Sequence, residues 1–166
     1  MPNHDVRAVA NEFLRRAEND GRHLTNMQLQ KLPYIAHGWG LVTLPMPLIR
    51  QVPQTWPYGP VYSDLYQDLK RYGAGAVQAY IRQNNTSPFP DDRGPEVWEE
   101  MIPQEVALLD QVWRSYGHLN GLALSEMTHR AGTPWTITMQ KSGAYSPIEN
   151  QLIAEHYQNL RQQNAG

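Results

Sequence analysis

Met27-Gln28-Leu29-Gln30-Lys31-Leu32-Pro33-Tyr34-Ile35-Ala36-His37-Gly38-Trp39 is apolar around almost its whole circumference, and its reading decides the fold. Thr25 just before it is a natural N-cap, and Gln28 three residues later completes a capping box. A helix with no polar face belongs in the middle of a domain, with other elements wrapped around it. Pro33 lies inside the pattern, where proline removes a backbone donor and costs about 3 kcal/mol or more. The sequence therefore predicts either a kink or a helix start delayed to about Pro33.

Working outward, Asp5 caps a first helix whose stripe is Val6, Val9, Ala10, Phe13, Leu14 and Ala17, ended by Gly21. Five prolines between Pro45 and Pro60 exclude a regular helix there, and Leu48–Val52 is the one plausible strand. Helical spacing resumes at Val61, Leu65, Tyr66, Leu69 and Tyr72, and Gly73 stops it. A short helix is expected at Ala76–Arg82, an exposed loop at Asn84–Pro95 and a helical turn at Glu96–Met101.

Pro103 opens a helix with a face of Val106, Leu109, Val112, Trp113 and Tyr116, and Asn120 leads another through Leu122, Leu124, Met127 and Thr128. Thr133-Pro134 starts a short helix with Trp135 on its first turn. Ser146-Pro147-Ile148-Glu149 reads as a capping box opening a last helix through Leu152, Ile153, His156, Tyr157 and Leu160, with a frayed tail over Gln162–Gly166. The expectation is one all-α or nearly all-α domain over residues 1–166, with its core at 5–161. It would be a compact bundle of about seven or eight helices with at most a minor β element in the Pro-rich segment 45–60.

Composition narrows the function. At 166 residues the chain can bury a core without staples, and it has no cysteine, which suits a reducing cytosol and a cytoplasmic address. A formal net charge of −2 with both signs scattered argues against nucleic acid as a partner. No run approaches a membrane span and no signal-peptide pattern opens the chain. His37, His118, His129 and His156 are scattered without an HExxH spacing, so no metal is expected. Gly73-Ala74-Gly75 lacks the Lys-Ser/Thr of a phosphate loop, and no cofactor is expected either.

Four motifs stand in register: Leu29-Gln30-Lys31-Leu32 with Tyr34 and Ala36-His37-Gly38-Trp39; Trp56 with Tyr58-Gly59-Pro60-Val61 and Tyr66; Thr128-His129 with Pro134-Trp135; and Pro147-Ile148. Together they resemble the Panacea domain, the SocA-like and phage-associated (GepA-like) antitoxin family, over most of Met27–Tyr157. Pro33 stands where that family usually has leucine, and Thr55 where alanine is common. The resemblance implies a non-enzymatic antitoxin that neutralises a cognate toxin by direct contact, in some members as an adaptor to a protease such as ClpXP. Binding and modulation of a host protein by a phage or mobile-element protein is the alternative. A hydrolase or transferase using His129 ranks last.

Residue by residue, Trp56, Tyr58, Gly59, Pro60 and Tyr62 are the expected partner-binding set: a rigid corner presenting aromatic anchors, unless the turn merely aims the next helix. Gln30, Lys31, Tyr34, His37, Thr128, His129, Pro134 and Trp135 are expected to be structural. His129 has no triad spacing around it and more plainly donates to a carbonyl, while Lys31 needs a counter-charge, for which Asp64 or Asp68 is the expected source. Whether Trp56, Tyr58, Trp98, Trp113 and Trp135 share one open patch decides whether these rings report on folding or on contact.

Overall fold

The computed structural model describes residues 3–165. Among them are seven α-helices: α1 (Val6–Asn19), α2 (Asn26–Thr43), α3 (Ser63–Leu69), α4 (Pro103–Tyr116), α5 (Gly121–His129), α6 (Pro134–Ser142) and α7 (Asn150–Ala165). A single antiparallel hairpin joins β1 (Gln54–Trp56) to β2 (Gly59–Val61). The nearly all-α expectation holds, with its β element inside or beside the Pro-rich segment.

Helix α2 is the axis. Leu29, Leu32, Tyr34, Ile35 and Ala36 are buried, and α1, α4, α5 and α7 all pack on it. Its capping box forms as read, with Gln28 N–H donating to Thr25 Oγ1 and Thr25 N–H to Gln28 Oε1. The helix starts at Asn26 rather than near Pro33 and continues past it, because burial on all sides outweighs one missing backbone bond. Gly38 lets α7 close in: a Cβ there would lie 2.2 Å from the Tyr157 ring.

His37 ties the same helix to its surroundings, accepting from Ile49 N–H at Nδ1 (3.2 Å) and donating from Nε2 to Asn150 (2.8 Å). That pairing fixes one neutral tautomer, and burial lowers the imidazole pKa. The end of α1 is also as expected: Gly21 adopts φ 68°, and Arg22 N–H bonds back to Ala17.

Several local expectations fail. Leu48–Val52 is not a strand; Ile49 makes only an isolated parallel bridge to His4, and the hairpin lies further on, at 54–61. Ala76–Arg82 is extended, not helical, because its backbone is engaged elsewhere: Val77 N–H bonds to Leu24 and Ile81 N–H to the Asn11 side chain. Glu96–Met101 is likewise extended, with Val97 N–H on Ile81. The Asn84–Pro95 loop is mostly exposed but carries a 3-10 turn at Pro90–Asp92 and buries Asn85.

Ser146–Glu149 does not open α7. Ser146 and Ile148 pair with Thr55 and Pro53 beside β1, and the helix starts at Asn150. Of the tail expected to fray, residues 162–165 are helical and Gly166 lies outside the described residues. On the predicted faces of α4 and α5, Val106 and Leu122 point outward, Leu122 at 76 % exposure.

Candidate functional site

Many of the motif residues converge on the hairpin, while His37 is tied to Ile49 and Asn150 instead. Two residues, Pro57 and Tyr58, connect β1 and β2, and the register pairs Thr55 with Pro60 and Trp56 with Gly59. Gly59 has φ 113°, a conformation open to glycine and strained for any L side chain.

From below, α2 fastens β2. Lys31 Nζ donates to the Pro60 carbonyl at 2.7 Å, and Gln30 accepts from Tyr62 N–H at 2.9 Å. Gln30 itself is oriented by donating to Asn26 (3.2 Å). Lys31 is buried and no carboxylate pairs with it among the described residues; Asp68, the expected partner, stands 3.7 Å from Arg7 instead. Burial without a counter-charge lowers the Lys31 pKa to about 7.

From the side, α5 and α6 hold the loop. Ser125 Oγ donates to the Tyr58 carbonyl, and His129 Nδ1 donates to the Ser125 carbonyl. Thr128 turns its hydroxyl back to Leu124 (2.8 Å), and a Cβ on Gly59 would lie 3.3 Å from that oxygen. Thr133 caps α6, Pro134 occupies its first turn, and Trp135 Nε1 donates to the Trp56 carbonyl at 2.9 Å. The His129 and Trp135 rings meet edge to face at 5.3 Å. Ser125 Oγ and His129 Nδ1 stand 3.4 Å apart, and both side chains are engaged in holding backbone.

On the opposite edge, Thr55 lies under residues 145–148. Its Oγ1 donates to Gly143 (2.8 Å) and accepts from Ser146 N–H (3.0 Å), while Tyr145 N–H donates to the Thr55 carbonyl (2.6 Å). This third extended segment escaped sequence reading because the local Ser-Pro-x-Glu signal points to a helix start. Tyr145 sits at φ 59°, alone among the described non-glycine residues in the left-handed region.

The five residues expected at a contact divide. Gly59 and Pro60 are buried and Tyr62 is completely so, which withdraws them from direct contact. Trp56 is half-buried, and Tyr58 is 68 % exposed at the tip. Around Trp56 stand Tyr66, with ring centroids 4.8 Å apart, and Tyr145 at 5.4 Å, itself 57 % exposed. Neither Tyr66 nor Tyr145 was singled out for contact from sequence.

The tryptophans do not share one patch. Trp98 stacks on Tyr80 under Arg15, and Trp113 bonds to Asp20, both away from the hairpin elements. Beneath the site, the Tyr34 and Tyr62 hydroxyls are buried without a hydrogen-bond partner, and burial raises both pKa values. Among the described residues no group of three His, Cys, Asp or Glu could hold a metal ion, and no helix is long and apolar enough to cross a membrane.

Comparison with known proteins adds a family. The model for "Antitoxin SocA-like, Panacea domain" matches residues 29–136, from α2 through the hairpin to the first turn of α6. The chain is 27% identical to Antitoxin SocA of Caulobacter vibrioides over 140 residues, covering 84% of this chain and 72% of that protein. No solved structure matches.

Proposed function

Because the chain belongs to the SocA-like antitoxin, Panacea domain family, we propose that it neutralises a partner toxin by direct contact through the tip of its hairpin, without catalysis. The carrying observation is the fixed backbone beneath exposed rings. The carbonyls of Thr55, Trp56, Tyr58 and Pro60 are all bonded to other elements, while Tyr58 stays 68 % exposed beside Trp56 and Tyr145. A loop already held in one conformation loses little entropy on docking, and large aromatic side chains supply much of the contact energy at such surfaces.

The Caulobacter vibrioides relative is named an antitoxin, which supports a toxin as the partner class. Handing the bound toxin to a protease such as ClpXP would follow this contact and is separable from it.

The test uses the purified chain and the product of the neighbouring gene, with binding measured by calorimetry and neutralisation by growth rescue. Tyr58→Ala should weaken binding at least tenfold and abolish rescue while leaving the melting temperature within about 2 °C, as for a surface change. Full binding and rescue by a Tyr58→Ala, Trp56→Ala double variant would refute the assignment of the face. A complex that rescues only when the protease is present would place delivery, rather than occlusion, as the neutralising step.

A further inference from the structure

A polar cleft lies between the start of α1, the Arg50–Gln51 segment, α3 and the loop at Gln83–Thr86, enclosing about 580 Å³. Every lining side chain is charged, amide or hydroxyl. Such a cleft repels apolar ligands and suits one rich in hydrogen bonds.

Its carboxylates are unequal. Asp5 is satisfied several times over: it caps α1 by accepting from Arg7 N–H (2.9 Å), takes the Arg7 guanidinium at 2.8 Å, and accepts from Gln51 (3.0 Å) and Arg50 (3.2 Å). Asp68 has only a distant ion pair. Its side chain is 9% exposed and makes no hydrogen bond among the described residues. The cation nearest to it, Arg7 Nη1, is 3.7 Å away and donates to the Gln83 carbonyl at 3.0 Å. Asp64 stands one helical turn earlier on the same face of α3, exposed and in no ion pair among the described residues. Burial, with Asp5 and Asp64 close by, pushes the Asp68 pKa up to about 6 against the opposing pull of Arg7 and Arg71.

A buried carboxylate lacking bonded donors is costly, and what satisfies it best is a forked cation. We propose that this cleft receives the guanidinium of an arginine side chain from a partner polypeptide, held by Asp68 with Asp64 at the rim. A planar guanidinium can serve Asp68 and Asp64 at once, which an ammonium does less well. The lining amides of Gln67 and Gln83 donate and accept, which matches the peptide backbone flanking such a side chain. The cleft uses none of the hairpin contacts, so this assignment stands apart from the toxin-binding face.

The experiment is an NMR titration of the isotopically labelled full chain with three probes: the blocked tripeptide Gly-Arg-Gly, the blocked tripeptide Gly-Lys-Gly and free L-arginine. The arginine peptide should produce saturating shifts at Asp68, Gln83 and Asn85, and should bind several-fold tighter than the lysine peptide. Asp68→Asn should weaken it at least fivefold. Asp64→Asn, at an exposed position, should weaken it by a smaller factor. Absent saturation, unchanged affinity in both variants, or a preference for lysine would overturn the proposal. Tighter binding of free L-arginine than of the arginine peptide would overturn the polypeptide assignment.

Discussion

The base and the tip of the hairpin lie within seven residues of each other and are built on opposite principles. At the base, Pro60 and Tyr62 are sealed under α2, and their backbone groups are bonded to buried side chains, Lys31 and Gln30. At the tip, the Tyr58 and Trp56 carbonyls are tied to α5 and α6, yet the Tyr58 ring itself meets solvent. The difference teaches how a short loop becomes a rigid display: fasten the main chain from inside and leave the rings outside. It also separates two kinds of residue within one motif, those that hold the hairpin and those that the hairpin presents.

Lys31 gives the largest effect by which to break this comparison. Its pKa is about 7 in the folded chain, against an ordinary value of 10.5. Below pH 7 both states carry the proton, and the folded state bears the full cost of burying it. As pH rises from about 7 towards 10.5 the folded chain sheds the proton while the unfolded chain keeps it, so stability increases. At roughly 1.4 kcal/mol per pH unit this amounts to about 3 kcal/mol between about pH 7 and 9.5. Urea unfolding of the wild type and Lys31→Met at both values should show this rise in the wild type relative to the variant. A difference that does not change with pH means that Lys31 has water or a counter-charge, and the base is not sealed.

Gly59 sharpens the same comparison more modestly. Gly59→Ala forces a side chain into φ 113° and places its Cβ 3.2 Å from Lys31 Cε. The expected loss is about 2 kcal/mol, or roughly 4–8 °C in melting temperature. Gly132 also has positive φ, at 84°, but nothing lies within 4 Å of its added Cβ. Gly132→Ala should therefore cost only about half as much, and equal losses would mean that packing at the base contributes nothing.

The same contrast explains what could be read without coordinates. Helices α1, α2, α5 and α6 were legible because their caps, Asp5, Thr25, Asn120 and Thr133, sit next to the periodic stripes they start. Leu48–Val52 reads as a strand because Leu48, Ile49 and Val52 are apolar, whereas the true strands are fixed by bonds to residues remote in sequence, Lys31 and Gln30 on β2 and Gly143 on Thr55 of β1. Ala76–Arg82 failed for the same reason, its Ile81 N–H being claimed by Asn11, 70 positions away. The burial of Lys31 is legible from its helix, but its hydrogen-bond partner is the Pro60 carbonyl rather than a carboxylate. Nothing in the spacing of Lys31, Asp64 and Asp68 distinguishes the two.

Tyr145 gives the smallest effect on stability and the closest view of the boundary between base and tip. Its backbone belongs to the base, bonded to the Thr55 carbonyl, while its ring is 57 % exposed against Trp56. A left-handed conformation costs a non-glycine residue about 1 kcal/mol or more, and asparagine tolerates it far better than tyrosine. Tyr145→Asn should recover that strain but lose an edge-to-face ring contact of about 0.5–1.5 kcal/mol. The two nearly cancel, so thermal unfolding should move by less than about 1 kcal/mol. A ring kept in place for folding alone would leave toxin affinity unchanged by this substitution. If the strained tyrosine instead extends the display, affinity measured by calorimetry should fall severalfold while the melting curve stays put, and Tyr145→Phe, which keeps the ring, should restore most of it.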